Sequence, residues 1–266
     1  MENFKKITSA AEMIATIRTI GIIPFTRCSV PGWSIQELTD PDYWFTTSDQ
    51  LGPWDWKIEA LHEGILYGKF ISRSSCFATE TMYRHLMNWR RSRLYYQMAE
   101  GGEYRVTTVD QRLHKHLAPI LLNEIRRRES LESSELRKVL EEVVPVATRK
   151  KVGGYIEKHL LPKIDRQAID FLMAFLDMGT WTLVGDVSRV YRGPNHEYKG
   201  WQRNIVTTPE ALLDDSVLPP FLADSTPRHD THVDCTPEES RDFLVQSILQ
   251  YFPDAPSALN KLIDGK

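Results

Sequence analysis

The chain has 266 residues, 41% hydrophobic and 26% charged, enough to bury a substantial core in one or two domains, which excludes a disordered chain. Its 33 Lys and Arg against 36 Asp and Glu give a net charge of -3, which excludes a wholesale polyanion binder and leaves a local basic face open. Three widely spaced cysteines, Cys28, Cys76 and Cys235, form no CxxC pair, so neither a disulfide framework nor a zinc knuckle is expected, and a reducing cytoplasm fits.

Ser9-Ala10-Ala11-Glu12 has capping-box spacing, Met13, Ile14, Ile17 and Ile20 recur on one face, and Gly21 supplies a stop. A first helix over about 10 to 20 follows. The opening segment lacks the unbroken apolar run of a signal peptide or membrane span, so no export signal and no membrane partner are expected. From Cys28 to Trp56, turn-forming Pro-Gly, Asp-Pro and Gly-Pro pairs and the tryptophans Trp33, Trp44, Trp54 and Trp56 replace periodicity, predicting an aromatic-rich loop region. Lys57 to Glu63 is a short helix candidate, and Ile65 to Ile71 with Cys76 to Ala78 reads as a hairpin. Met82, Leu86 and Trp89 then mark a helix that ends by Gly101-Gly102; its other face, carrying Arg84, Arg90, Arg91 and Arg93, is expected to be basic.

A central module begins near Arg112. Leu113, Leu117, Ile120, Leu121 and Ile125 form a helical stripe that Pro119 should kink or start, ending in Arg126-Arg127-Arg128. Ser133 is expected to cap a second helix with Leu136, Val139, Leu140 and Val143 inward, and a basic third segment, Thr148 to Ile156, follows Pro145. Asp165 should cap a fourth helix, with Ile169, Leu172, Met173 and Leu176 inward and a stop at Gly179. Thr180 to Val184 alternates, and a second strand around Trp201 to Val206 lies beyond a turn at Arg192 to Asn195. Helices followed by a hairpin are the winged-helix pattern. Thr208-Pro209-Glu210 and Thr236-Pro237-Glu238 each open a helix, Asp214 to Asp234 reads as an acidic surface loop, and Phe243, Leu244, Ile248, Leu249 and Phe252 pack the last long helix. The expected fold is α+β, mostly helical, with winged-helix-like modules and short β-hairpins. Its expected parts are an aromatic-rich α+β region over 1–105, a winged-helix-like domain over 106–215, and an acidic loop with C-terminal helices packing on the rest over 216–266.

Charge is concentrated in that module: from Arg112 to Arg166, 13 Lys and Arg face 8 acids, a local +5. Either this is an ordinary solvated helix surface, or Arg126, Arg127, Arg128, Arg149, Lys150 and Lys151, with Arg192 and Arg203 of the hairpin, contact phosphates and release counterions. Trp54, Trp56, Tyr67, Lys69 and Trp201 are either core packing or a pocket in which a base stacks. Asp55 and Glu59 are the candidate acids beside it, as a glycosidic hydrolase would need. The run His229 to Cys235 is rich in potential ligands but matches no zinc spacing, and no GxSxG, Walker loop, HExxH or GxGxxG occurs. No metal and no cofactor are expected.

The blocks Pro53-Trp54-Asp55-Trp56-Lys57, Tyr67-Gly68-Lys69-Phe70, Phe77-Ala78, Arg90-Arg91, Tyr198-Lys199-Gly200-Trp201 and Thr207-Thr208-Pro209-Glu210 give the chain a family likeness over about 15 to 215. It resembles the AlkZ-related proteins, a bacterial family similar to the AlkZ DNA glycosylases of tandem winged-helix architecture. The resemblance implies a DNA-related fold and a DNA-repair ancestry. The AlkZ glycosylases position water with a Gln-x-Gln or Gln-x-Asp motif, and none of Gln36, Gln50, Gln97, Gln111, Gln167, Gln202, Gln246 and Gln250 begins either. The expected function is therefore nucleic-acid binding by a winged-helix protein, with DNA as partner. The alternatives are a glycosylase-like hydrolase acting on damaged bases and a protein-docking scaffold.

Overall fold

A computed structural model describes residues 5–44, 50–71, 74–92, 109–144, 166–188, 203–213 and 233–265. It is an α+β fold in which helices predominate around a six-stranded antiparallel sheet.

Helix α1 (Ala10–Ile20) forms as its pattern requires: Ser9 Oγ accepts from Glu12 N, and Gly21, at φ 86°, ends it. Its apolar stripe, Met13, Ile14, Ile17 and Ile20, is buried. Strand β1 (Ile22–Pro24) follows directly. The aromatic-rich stretch, expected as loop, contains three helices: α2 (Ile35–Leu38), α3 (Pro41–Trp44) and α4 (Pro53–His62). Pro31-Gly32 makes the expected turn, with Gly32 at φ 78°, whereas Pro41 and Pro53, which also read as turns, serve as helix starts. Strands β2 (Leu66–Gly68) and β3 (Cys76–Ala78) make the expected hairpin, with β3 also pairing β1.

Helix α5 (Glu80–Arg90) does not carry the expected basic face. Arg90 is 1% exposed and Arg91 5%, while Arg84 pairs with Glu80 across one turn; Arg93 lies outside the described residues. Helix α6 (Val109–Arg128) runs through Pro119 rather than starting there. Burial of Leu117, Ala118, Leu121, Leu122 and Ile125 offsets the missing N–H. Glu129, at φ 64°, turns the chain into β4 (Ser130–Glu132), and α7 (Leu136–Val143) is capped at Glu135 rather than Ser133. Helix α8 (Arg166–Met178) ends not on a left-handed glycine but on Thr180, at φ 62°. Strands β5 (Leu183–Ser188) and β6 (Arg203–Thr207) pair antiparallel, and β4 pairs the free side of β6. Helices α9 (Pro209–Leu213), α10 (Pro237–Leu249) and α11 (Pro256–Asp264) complete the order. The Thr236 capping box forms as expected, whereas Phe243 faces outward, 41% exposed.

The sheet order is β1-β3-β2-β5-β6-β4. Its two halves meet where Tyr67 of β2 pairs Val184 of β5. One apolar cluster joins α1, α4, α5 and β1 to β3 with α10, α11 and Leu183, Val184 and Val187 of β5. A second joins α6, α7 and α8 with Trp181 and Val206. Strands from 1–105 and from 106–215 thus share one sheet, and the C-terminal helices pack on the first cluster.

Candidate functional site

The site grows from the start of α4. Pro53 sets the first turn, and Asp55 at its third position accepts from Gly52 N at 3.4 Å, so this candidate acid is engaged in capping. Helical geometry then sends Trp54 outward, 46% exposed, and Trp56 and Lys57 inward, 4% and 5% exposed. Glu59, the other candidate acid, is exposed. Trp54 stands edge-on to Phe25 at 4.6 Å, and Trp56 lies on Tyr43 at 5.8 Å. Tyr67, buried, lies 4.8 Å from Phe77. Trp54 and Tyr67 flank the Lys57 ammonium, whose Nζ is 5.6 Å and 5.9 Å from their ring centres. Burial pulls the Lys57 ammonium down to about 8, against the opposing charge of Asp55. Burial also pushes the Tyr67 phenol up to about 12, so it stays neutral at pH 7.

Across the sheet junction, α8 contributes Asp177, 6% exposed. Its carboxylate accepts from Thr182 Oγ1 at 2.6 Å and from Lys69 N at 3.4 Å. Burial raises it to about 6 despite those two bonds and the Lys69 charge. Next to it, Thr180 holds a left-handed backbone that a β-branched residue rarely adopts. Its carbonyl accepts from Arg91 Nη2 at 2.7 Å and from the Tyr83 hydroxyl at 3.2 Å, and the Arg91 guanidinium lies 3.9 Å over the Trp181 ring. Arg90 points the other way: its Nη2 donates to Leu262 O at 2.7 Å and its Nη1 to Met178 O at 3.4 Å, the carbonyl ends of α11 and α8.

The basic candidates separate by their partners. Arg126 pairs with Glu210 at 2.9 Å, both side chains under 20% exposed, and ties α6 to α9. Arg127 and Arg128 both reach Glu124, at 2.7 and 3.3 Å, with Arg127 62% exposed. Arg203, at the start of β6, pairs with Glu132 of β4 at 2.8 Å. Arg149, Lys150, Lys151, Arg192 and Trp201 lie outside the described residues.

Of the pocket candidates, Trp54 and Tyr67 come together around Lys57, Trp56 packs on Tyr43 instead, and Lys69 joins through its backbone to Asp177. Sequence reasoning passed over Lys57 and Asp177. The signal was present: each is a charged residue at the edge of an apolar helical stripe, beside Trp56 and Ile58 in one case and Leu176 in the other. Within the His229 to Cys235 run, Cys235 Sγ approaches Ser240 Oγ at 3.1 Å and His85 Nδ1 at 3.8 Å, while residues 229–232 lie outside the described residues. Among the described residues no group of three or more His, Cys, Asp or Glu could hold a metal, and no helix is long and apolar enough to cross a membrane.

This is an α+β protein whose antiparallel sheet brings a buried lysine and a buried carboxylate to the junction of its two halves. The chain belongs to the AlkZ-related family, whose model matches residues 7–264. That membership points to a relationship with DNA-repair proteins of the AlkZ type. Comparison with curated proteins and with solved structures found no match.

Proposed function

We propose that the protein binds duplex or distorted DNA through a winged helix formed by α6, β4, α7, α8, β5 and β6. The carrying observation is the strand order β5-β6-β4 combined with the chain order helix, strand, helices, hairpin. This order is what a winged helix has, a helix-turn-helix variant that lays a helix in a groove and a hairpin beside it, and so supports the reading. The local +5 charge of 112–166 supports the same reading. Arg127, Arg128 and Arg203 hold exposed or half-exposed ion pairs, which exchange for phosphate at little cost. Arg126 is structural. Three free cysteines are consistent with a cytoplasmic setting.

The test is duplex binding titrated at two salt concentrations. Replacing Arg149, Lys150 and Lys151 together by alanine should weaken binding uniformly across sequences and lower the salt slope by about one per lost phosphate contact. Unchanged affinity and slope would remove these residues from the interface. Absence of binding at low salt would favour protein docking instead. The rival base-processing reading draws on exposed Trp54 beside the buried amine, and loss of base release on Asp55→Asn would support it.

A further inference from the structure

Among the described residues, other buried or half-buried arginines are matched to acceptors. Arg90 meets two helix-end carbonyls, Arg91 meets Thr180 O, and Arg126 meets Glu210. Lys57 breaks the pattern: at 5% exposure its Nζ makes no hydrogen bond and no ion pair with any described residue, and only the two rings flank it. Such a group is costly to the fold unless it is neutral or its partner comes from a ligand. Trp54, one of the two flanking rings, is 46% exposed, which places the amine close beneath the surface.

The surroundings decide between an anion site and a neutral amine. An anion site gathers several donors, such as a second cation, a guanidinium fork or backbone N–H groups. Here the walls are Trp54 and Tyr67, and the nearest charge acting on the lysine is the carboxylate of Asp55, which repels an anion. Burial, rather than the rings, disfavours the charged form, so the uncharged amine, the state in which a lysine attacks carbonyl carbon, is reached more readily than in water.

We propose that Lys57 is a nucleophilic amine that forms an imine with an aldehyde carried on DNA, the ring-opened sugar left where a base has been lost. This rests on the DNA-binding reading above. The Nζ lone pair adds to the C1′ carbonyl carbon, and both amine hydrogens leave with the carbonyl oxygen as water. A C=N bond replaces C=O with no change of oxidation state. Trp54, exposed beside the amine, presents a ring face that fills the gap in the base stack.

The experiment incubates the full chain with a duplex bearing one abasic site and sodium cyanoborohydride, which reduces the imine to a stable amine, and reads the adduct by intact mass and peptide mapping. Binding of the same duplex is followed in parallel without reductant. The expected result is a one-to-one adduct on Lys57, absent with intact duplex and lost by more than about tenfold in Lys57→Arg and Lys57→Met. Lys57→Met removes the nucleophile and the buried charge together and should unfold no lower than the parent, so loss of its adduct is not loss of the fold. Binding without an adduct, or an adduct on surface lysines that persists in Lys57→Met, overturns the proposal and leaves DNA binding standing. No binding overturns both. Equal trapping of free 2-deoxyribose 5-phosphate overturns the assignment to DNA in favour of a small sugar aldehyde.

Discussion

Lys57 and Asp177 each ionise at a cost, and the sign of that cost fixes a pH signature. Lys57 titrates at about 8 in the fold against 10.5 unfolded. Between those values the unfolded chain holds more protons, so stability rises with pH across the window and the penalty is full below it. The amplitude is on the order of 3 kcal/mol. Lys57→Met should abolish the rise and be more stable than the parent at pH 7, as read by urea unfolding from pH 7 to 10.5. Asp177 titrates at about 6 against 3.8 unfolded, so here the folded state holds the extra proton and stability falls as pH climbs from about 4 to about 6. Asp177→Asn keeps an amide oxygen for Thr182 or for Lys69 N and should lose that decline; an identical pH profile would show that another group sets it. Burial pulls Arg90 down too, to about 10, but unlike Lys57 its guanidinium is held by two helix-end carbonyls. Arg90→Met strands the Met178 and Leu262 carbonyls and should cost about 3 kcal/mol, measured by the same unfolding series.

At the scale of elements, the end of α6 shows that three consecutive arginines can have different duties. Arg126→Ala leaves the Glu210 carboxylate, already with one oxygen sealed and unpartnered, facing no cation, and should destabilise by about 2–4 kcal/mol. Arg127→Ala removes an exposed pair and should leave the unfolding midpoint unchanged while weakening duplex binding. The bulge in β5 between Val184 and Asp186 makes a similar distinction. A Cβ on Gly185 would stand 2.7 Å from Thr207 Cγ2, and Thr207 is itself held by its hydroxyl bond to Glu129 O at 2.6 Å. Gly185→Ala should therefore cost about 1–3 kcal/mol by overpacking, visible as a lowered thermal midpoint.

For the whole molecule, the sheet and the first core cluster are completed by distant sequence. Helix α5 lies along α10, where Asn88 Nδ2 donates to Ser240 Oγ at 2.8 Å, and Arg90 reaches Leu262. A fragment of residues 1–105 lacks β5, α10 and α11 and so exposes the faces of β2 and α5 that they cover. It should show no cooperative thermal transition, whereas the full chain should show one. A cooperative melt of the fragment would establish an autonomous N-terminal domain.

Sequence alone determined what local chemistry decides. The Ser9 and Thr236 caps and the apolar stripes of α1 and α8 depend on residues a few positions apart, where hydrogen bonding and periodicity act without reference to the rest of the chain. Tertiary structure decided what depends on distant partners. Pro119 reads as a breaker until the burial of its neighbours carries α6 through it, and Arg90-Arg91 reads as a basic face until Thr180, Met178 and Leu262 supply acceptors. Thr180 rather than Gly179 takes the left-handed turn because Arg91 and Tyr83 hold its carbonyl. Lys57 and Asp177 stand at the edges of apolar stripes in sequence, but burial is the largest influence on their protonation, and its extent is set by the folded packing around them.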